Sequence, residues 1–464
     1  MIGNPEFVRN LWLQCTWPRL LAAAVVIAII YYAAVYWGEP GQAGAVFINK
    51  WLFHFIIGLW STRRAADALA EEVGSNTWEI QRMSGLSAWS MAWGKLLGAS
   101  AYPWFCALLC LLLMDASLVN RGAPSDEVLF LNVNLVVSGL IAQAVSLSVA
   151  LLLLRKAQLR RRLMVTFAQV CGLIAYANSF FGDVASLVSG FHLVSWYGKG
   201  YPALTFDLVS LIVFGGWMWF GLYRLMRLEL QYRNWPWAWV AFLAYALVFV
   251  GGFFADAQAS AAEALLAPFC VSVILTYLSF LAEPKDPVRY RWGMIAFMSG
   301  DLGKALSFIP LWLISYVVTA ILGIALAVSL PQGPLAPLEN TWLKHLWFWP
   351  HMGLRPQVFF IACVLFVGRD ILFLLLLNLG SWRQRADLAG LIYLLIAYFP
   401  LTSIIGFVGG LSLLPVVVPY DAGNLILSFA PVLVEIGVLA MLIGRRWQAS
   451  VAIKPGIATS ASAL

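Results

Sequence analysis

Charged residues are scarce in this chain. Asp, Glu, Lys and Arg make up 11% of its 464 residues, and 62% are hydrophobic, whereas soluble proteins carry about a quarter charged residues. This scarcity excludes an ordinary soluble domain. The apolar residues fall into runs of about twenty, the length that a helix needs to cross a bilayer, and a backbone in lipid must satisfy its own hydrogen bonds. The sequence therefore predicts an all-α polytopic membrane protein.

Cysteine and histidine are also rare, with six and four residues. Most of the cysteines fall inside apolar runs, where cysteine behaves as a small hydrophobe, so no disulfide framework is predicted. Cys106 and Cys110 share a helix face. No histidine or third cysteine stands near them in the sequence, which argues against a metal site.

The phosphate-binding pattern Gly-x-x-x-x-Gly-Lys-Ser/Thr is absent as well. Gly94-Lys95 and Gly303-Lys304 both lack the glycine spacing and the hydroxyl that the pattern needs. The chain is therefore not expected to bind ATP through this motif. We predict that it is not an enzyme and that it holds no catalytic residue, metal or cofactor.

About twelve apolar runs qualify as spans. They cover residues 19–38, 44–62, 94–117, 129–154, 163–181, 204–226, 235–254, 260–282, 308–330, 357–380, 388–415 and 424–444. The eleventh carries Pro400 and Gly409-Gly410 and is expected to be kinked or broken. Lysine and arginine are concentrated after the even-numbered spans, as in cytoplasmic loops, so both termini are predicted to be cytoplasmic. This arrangement accounts for the net charge of +7 without a nucleic-acid partner.

The predicted spans divide into two sets of six. The predicted parts are a cytoplasmic interfacial elbow helix at 1–18, a first six-span unit at 19–234, a second at 235–447, and a disordered cytoplasmic tail at 448–464. Gly303-Lys304 enters the ninth span much as Gly94-Lys95 enters the third, and parallel six-span repeats are a known transporter architecture. The second unit is therefore either a diverged repeat or a set of spans that shares only the basic loops of any such unit.

Residues 61–102 form a polar stretch between the second and third spans. The Ala- and Leu-rich segment 65–72 favours a helix. The Gly74-Ser75-Asn76 step that follows breaks this helix, because Asn76 tolerates the left-handed conformation of a sharp turn.

A second short helix is predicted after this turn. Its packed side is expected to carry Trp78, Ile80 and Met83, and its outer side Glu79 and Arg82. Gly85 ends it, and Ser87 is a candidate N-cap for the helix that leads into the third span. A short helix joined to two spans in this way can transmit a push from a docked partner.

Three steps of the polar stretch carry a resemblance. They are Thr77-Trp78-Glu79, Ser84-Gly85-Leu86-Ser87 and Gly94-Lys95-Leu96-Leu97-Gly98. In this order they resemble the signature of ABC-2 type transporter permeases, in which a Gly-Thr-x-Glu run precedes Pro-Leu-Ser and Gly-Lys-Leu-Leu opens the third span. Asn76 stands where the family has Gly, and Gly85 where it has Pro. Asn4-Pro5 with Arg9 is similar to the family's elbow helix, and the resemblance extends over residues 1–235.

The resemblance implies a multi-pass permease in a bacterial-type cell membrane. It further implies that the permease is an exporter and that separate ATPase subunits bind the ATP and drive transport. The pore is then formed either by two copies of the chain or by its two halves. The implied coupling loop is residues 61–95. The residues implied in coupling to the ATPase are Thr77, Trp78, Glu79, Arg82, Leu86, Ser87 and Lys95.

Ionisable residues within spans are further candidates, because a charge inside the bilayer costs a few kcal/mol and usually faces a cavity or a partner. They are Lys50, His54, Asp207, Arg369, Asp370 and Glu435. Arg369 and Glu435 lie at similar depth in the tenth and twelfth spans and are expected to pair. Lys50 and His54 share a face of the second span and are expected to approach Asp207.

Two other functions stay open on the sequence alone. An integral membrane transferase acting on a lipid-linked substrate would need acidic residues or histidines clustered at a membrane-face cleft, and the loops offer scattered ones such as Asp115, Asp126, Glu127 and Asp183. The other is a non-transporting assembly or sensor protein that has kept a permease scaffold.

Overall fold

The chain folds almost entirely into helices. The computed structural model describes residues 4–37, 43–155, 161–189, 193–232, 234–255, 260–330, 355–380, 386–408 and 411–451. Within them the exception is a β-hairpin of β1 (Leu193–Trp196) and β2 (Lys199–Pro202). The chain divides into two compact units, unit 1 with Met1–Val194 and Tyr201–Asn234 and unit 2 with Ser195–Gly200 and Trp235–Leu464. The predicted helical class is confirmed.

Unit 1 contains both long and short helices. In chain order they are α1 (Pro5–Gln14), α2 (Trp17–Trp37), α3 (Ala43–His54), α4 (Thr62–Gly74), α5 (Thr77–Met83), α6 (Ala88–Gly98), α7 (Ala101–Asn120), α8 (Ser125–Arg155), α9 (Arg161–Ser189) and α10 (Ala203–Glu229). A π-helical turn, Phe55–Ser61, joins α3 to α4. Leu69, Met91 and Leu147 are among the buried side chains at the centre of one core, where α4, α6 and α8 meet.

Unit 2 has the same mixture of long and short helices. In chain order they are α11 (Trp237–Gly251), α12 (Ala261–Ala282), α13 (Pro287–Met298), α14 (Leu302–Phe308), α15 (Leu311–Ser329), α16 (Pro356–Asn378), α17 (Ala386–Ile396), α18 (Thr402–Val408) and α19 (Leu425–Val451). A π-helical turn, Ala397–Leu401, separates α17 from α18, and a 3₁₀ helix, Leu411–Val416, precedes α19. Phe280, Ile371 and Leu374 belong to its buried core.

The helix ends around the polar stretch follow from local residue chemistry. The Asn4 side chain accepts a hydrogen bond from the Glu6 backbone N–H, and proline occupies the first position of α1, where its missing N–H costs nothing. Asn76 has φ +58°, the left-handed conformation expected of it. The Ser87 hydroxyl accepts from the Ser90 N–H at 3.2 Å. The predicted turn at Asn76 and the predicted N-cap at Ser87 are confirmed.

Nine helices in the described ranges are long and apolar enough to cross a membrane. They are Trp17–Tyr36, Ala101–Asn120, Ser125–Leu154, Ala203–Glu229, Ala261–Ala282, Leu311–Ser329, Pro356–Asn378, Ala386–Val408 and Leu425–Gln448. They indicate a membrane-embedded multi-pass protein. The other three predicted spans correspond to α3 with its π-helical turn, to α9, and to the shorter apolar helix α11.

Two boundary predictions meet different outcomes. In the eleventh span Pro400 lies in the π-helical turn between α17 and α18, and the helical run continues from Ala386 to Val408 without a break. Gly409-Gly410 lies outside the described residues. The predicted disordered tail at 448–464 begins too early, since α19 continues to Val451. The remaining residues, 452–464, lie outside the described part of the chain.

Candidate functional site

A buried group of charges lies beneath the polar stretch. The Lys95 side chain is 1% exposed, and its Nζ lies 3.1 Å from Glu6 Oε1 and 2.7 Å from Gln81 Oε1, and it also bonds Glu72. Arg9 Nη2 lies 2.5 Å from Glu72 Oε1 and 3.0 Å from Glu6 Oε1. We call these five residues the Lys95 cluster; two cations in it balance two carboxylates.

The Lys95 cluster joins four helices of unit 1, because its members come from α1, α4, α5 and α6. Burial alone would raise the pKa of the Glu72 carboxyl. The Lys95 ammonium and the hydrogen bonds from Lys95, Gln81 and Arg9 outweigh burial, so the pKa of Glu72 lies below its ordinary value. The carboxylate is therefore held in its charged form as part of a paired network.

Two glycines allow α1 to lie directly against α6. A Cβ at Gly94 would come 2.7 Å from Glu6 Cβ, and one at Gly98 would come 2.8 Å from Asn10 Cβ. Small residues four apart let helix backbones approach closely. Consequently α1 turns Glu6 and Asn10 inward and leaves Trp12 exposed, which places polar groups in the contact and apolar ones outside.

The inner side of α5 is fixed to its neighbours at both ends. Thr77 Oγ1 donates to the Glu72 carbonyl at 3.2 Å. The Trp78 ring is buried, and Lys95 Nζ lies 5.2 Å from its centre. Arg82 Nε donates to the Glu229 carbonyl, in the last turn of α10, at 3.1 Å. The short helix therefore bridges α4, α6 and α10.

The outer side of α5 differs from the prediction. Ile80 and Met83 are 66% and 80% exposed, although they were expected to pack inward. The reason is that Gln81 points into the Lys95 cluster, which turns its neighbours outward. Glu79 is exposed as expected, and its carboxylate pairs with Arg82 at 3.0 Å. Arg82 was expected to be outward, but it is half-buried and bonds the α10 carbonyl.

The predicted coupling residues therefore fall into two groups. Glu79 is on the surface, whereas Lys95 is enclosed and offers no surface to a partner. Leu86 packs against the unit 1 core, and Ser87 caps α6. The sequence interpretation missed the rest of the Lys95 cluster, namely Glu6, Arg9, Glu72 and Gln81. The four-residue spacings Glu6–Asn10 and Gly94–Gly98 were the available signal.

A second group of charges lies within unit 2. Arg369 Nη2 lies 2.7 Å from Asp370 Oδ1, and its Nη1 lies 3.2 Å from Glu435 Oε2, so the predicted Arg369–Glu435 contact is present. The hydroxyls of Tyr277 and Tyr398 both donate to Asp370 Oδ2 at 2.7 Å. We call these five residues the Arg369 cluster; it carries two carboxylates for one guanidinium.

The remaining intramembrane candidates, Lys50, His54 and Asp207, do not form a common cluster. His54 is buried, and its Nδ1 lies 2.8 Å from the Tyr176 hydroxyl. Asp207 forms no ion pair with Lys50 or His54 in the described part of the chain. Its side chain is exposed on the second turn of α10, so the expected approach to the second span has no ion pair to support it and stays a prediction.

Among the described residues, no group of three or more His, Cys, Asp or Glu side chains could hold a metal ion. Compared with protein-family models, with curated proteins and with solved structures, the chain matches none. The function proposed below therefore rests on the geometry around α5 and the Lys95 cluster. The site consists of an exposed short helix above a buried, charge-paired group of residues.

Proposed function

We propose that this chain is the membrane-spanning permease subunit of an ATP-driven transporter of the ABC-2 type, an exporter in a bacterial-type cell membrane. ATP binding and hydrolysis belong to separate subunits. In this proposal the chain crosses the membrane twelve times, with both termini in the cytoplasm, and α5 is the element on which an ATPase subunit docks.

One observation carries the proposal. The α5 helix exposes Ile80 and Met83 on a polar segment while its opposite side is tied to three other helices, α4, α6 and α10. Two large apolar side chains beside the charged Glu79 form a small surface suited to a protein partner. A loop without a partner does not need to be held rigidly against its neighbouring helices. A docking element does need this, because a movement of the partner is transmitted only through an element that does not move independently of those helices.

The fastening suggests how a push is transmitted. Force on α5 would pass through Gln81 and Lys95 to α6 and α1, and α6 leads after two residues into the span α7. Force would also pass through Arg82 to the end of α10. Two spans and the elbow helix would then move with α5, which is the coupling that ATP-driven transport requires.

Co-purification with the candidate ATPase tests this proposal. The chain is expressed with ATPases encoded by neighbouring genes, and the captured subunit is identified by mass spectrometry and by ATP hydrolysis. Ile80→Asp and Met83→Asp should each reduce the captured ATPase at least tenfold, because they place a charge in an apolar contact. Glu79→Lys should reduce it through the reversed charge.

Matched controls separate docking from folding. Val119→Asp makes the same change at an exposed apolar residue in the last turn of α7, and Glu127→Lys repeats the charge reversal in the first turn of α8. Both should capture ATPase as the wild type does. If the wild type captures no ATPase, or if the α5 variants capture it equally well, the transporter proposal fails. The transferase and the non-transporting alternatives would then be the remaining hypotheses.

A further inference from the structure

A cavity of about 440 Å³ opens in unit 1 where several spans meet the polar segment. It is lined by Gln14, Arg19, Trp60, Arg64, Tyr102 and Pro103. These residues come from the end of α1, the starts of α2, α4 and α7, and the π-helical turn before α4. The volume lies within the range of about 300–1,000 Å³ that small-molecule sites occupy.

The cavity is positively charged. Two arginines line it, and none of its lining residues is acidic. Arg19 is exposed and forms no ion pair in the described part of the chain. For Arg64 the carboxylate in reach is Glu71, which is itself half-exposed and lies 3.9 Å away. Two guanidinium groups are therefore available to an anion, and the planar guanidinium fork matches the geometry of phosphate.

The other lining residues place the cavity at the polar end of the spans. The rings of Trp60 and Tyr102 meet edge to face at 5.4 Å, and the Tyr102 hydroxyl donates to the Arg19 carbonyl at 3.3 Å. Tryptophan and tyrosine are enriched at the level of the lipid headgroups. Arg19 is the third residue of α2 and Tyr102 the second of α7, so Arg19 lies where the apolar helix α2 begins, beside the start of α7.

An apolar surface continues from the cavity along α2. Ala22, Val26 and Ile29 stand three or four residues apart on the face of α2 that carries Arg19, and all three are exposed. Residues at this spacing form a continuous stripe along a helix. The stripe starts three residues after Arg19 on the same face, so a molecule with a phosphate at the arginines could lay a hydrocarbon chain along it.

We propose that this cavity binds the phosphate group of an anionic phospholipid, with Arg19 and Arg64 on the phosphate and an acyl chain along α2. Basic pockets between spans bind such headgroups. A zwitterionic choline lipid is disfavoured, because its cationic headgroup would face two guanidinium groups. A free phosphate shares the chemistry of the headgroup, but it has no acyl chain to contact the apolar stripe and should bind more weakly. This proposal does not depend on the transport function.

Native mass spectrometry of the full chain in detergent tests the site. The probes are phosphatidylglycerol, phosphatidylcholine and inorganic phosphate. Phosphatidylglycerol should bind at least tenfold more tightly than the other two. Arg19→Gln with Arg64→Gln should weaken its binding about a hundredfold, because each hydrogen-bonded charge pair accounts for about a factor of ten.

The control is Arg121→Gln, which removes an arginine at the opposite end of α7 from Tyr102 and should leave phosphatidylglycerol binding unchanged. If the double glutamine variant does not fold, Arg19→Lys with Arg64→Lys keeps both charges but loses the planar forks and should bind several-fold more weakly. Equal affinity for both lipids, displacement of phosphatidylglycerol by an equal concentration of inorganic phosphate, or unchanged binding in the variants would each overturn the proposal.

Discussion

Lys95 is enclosed on every side, and its position is tolerable only because of its partners. Moving an ammonium out of water costs several kcal/mol, and attraction to nearby carboxylates offsets this cost when the geometry is good. Here Glu6 and Glu72 come from different helices, and Arg9 balances the second negative charge. Removing one member therefore leaves an uncompensated charge, whereas removing a balanced pair does not.

Lys95→Met should destabilise the protein by about 3–5 kcal/mol, the usual cost of breaking a buried pair. The double variant Glu72→Leu with Lys95→Met should recover most of this loss, since Arg9 and Glu6 stay paired. Thermal unfolding in detergent micelles measures both. A double variant no more stable than Lys95→Met alone would show that the cost is a packing defect at position 95.

The pH dependence of stability follows from Glu72. Because its pKa is lowered in the folded protein, the carboxylate adds stability at pH values above its ordinary 4.5, and this stability is lost as the pH falls toward the folded value. In Lys95→Met the main attraction is gone and burial dominates, so acid should stabilise this variant relative to wild type. Unfolding midpoints of the wild type and of Lys95→Met, measured between about pH 3 and pH 6, give the change of stability with pH in each protein.

The two carboxylates of the Arg369 cluster differ in how far they are buried. Asp370 is fully buried, whereas the Glu435 side chain is 35% exposed. Glu435→Gln should cost less than about 1 kcal/mol, and Arg369→Met about 3–5 kcal/mol, because Asp370 would lose its counterion. Exchanging the charges with Arg369→Glu and Glu435→Arg should not restore stability, since the new carboxylate would face Asp370. Full recovery by the exchange in the same unfolding assay would contradict this geometry.

At the scale of the elements, the ends of the short helices were predictable because the signals are local. Asn4 and Ser87 accept hydrogen bonds from backbone N–H groups within three residues of themselves, and Asn76 acts through its own left-handed backbone conformation. The rotation of α5 was not predictable in this way. It depends on Gln81 meeting Lys95, 14 residues away, and on Lys95 meeting Glu6, 89 residues away.

Among the intramembrane residues, too, some contacts could be predicted from the sequence and others could not. The pairing of Arg369 with Glu435 could be predicted, because two apolar spans place their residues at definite depths and these depths agree. The proposed approach of Lys50 and His54 to Asp207 used depth alone. Depth does not fix the rotation of a helix about its axis, and Asp207 lies on the exposed side of α10. Rotation is set by packing between helices, which a single sequence does not record.

The contact between α1 and α6 depends on the two glycines of α6. Gly94→Ala should destabilise the protein by about 1–3 kcal/mol, the usual cost of overpacking, because its Cβ would overlap Glu6 Cβ and press on the α1 backbone. Amide hydrogen exchange over residues 5–14 should speed up in this variant. Gly85→Ala is the matched control, since a Cβ there meets nothing within 4 Å. Equal exchange in the two variants would mean that α1 is held by other contacts.

For the whole molecule, the number of crossings decides whether the two termini lie on the same side of the membrane. The apolar helix α10 has 27 residues, about 40 Å at the usual rise, and exceeds the hydrocarbon thickness of about 30 Å. By contrast α11 has 15 residues, about 22 Å, and is the shortest of the proposed spans. A short span crosses only if the bilayer thins or flanking residues reach the interface. Trp235 and Trp237 at its start are exposed and suited to that role.

A labelling experiment decides whether α11 crosses. In a chain whose native cysteines are replaced by serine or alanine, single cysteines are introduced by Lys199→Cys, Gln231→Cys and Ser260→Cys. Lys199 and Gln231 lie on either side of α10, and Gln231 and Ser260 on either side of α11. If α11 crosses, a membrane-impermeant maleimide labels positions 199 and 260 in intact cells and position 231 only after permeabilisation. Labelling of positions 231 and 260 from the same side would make α11 re-entrant, which removes one crossing and places the two termini on opposite sides of the membrane.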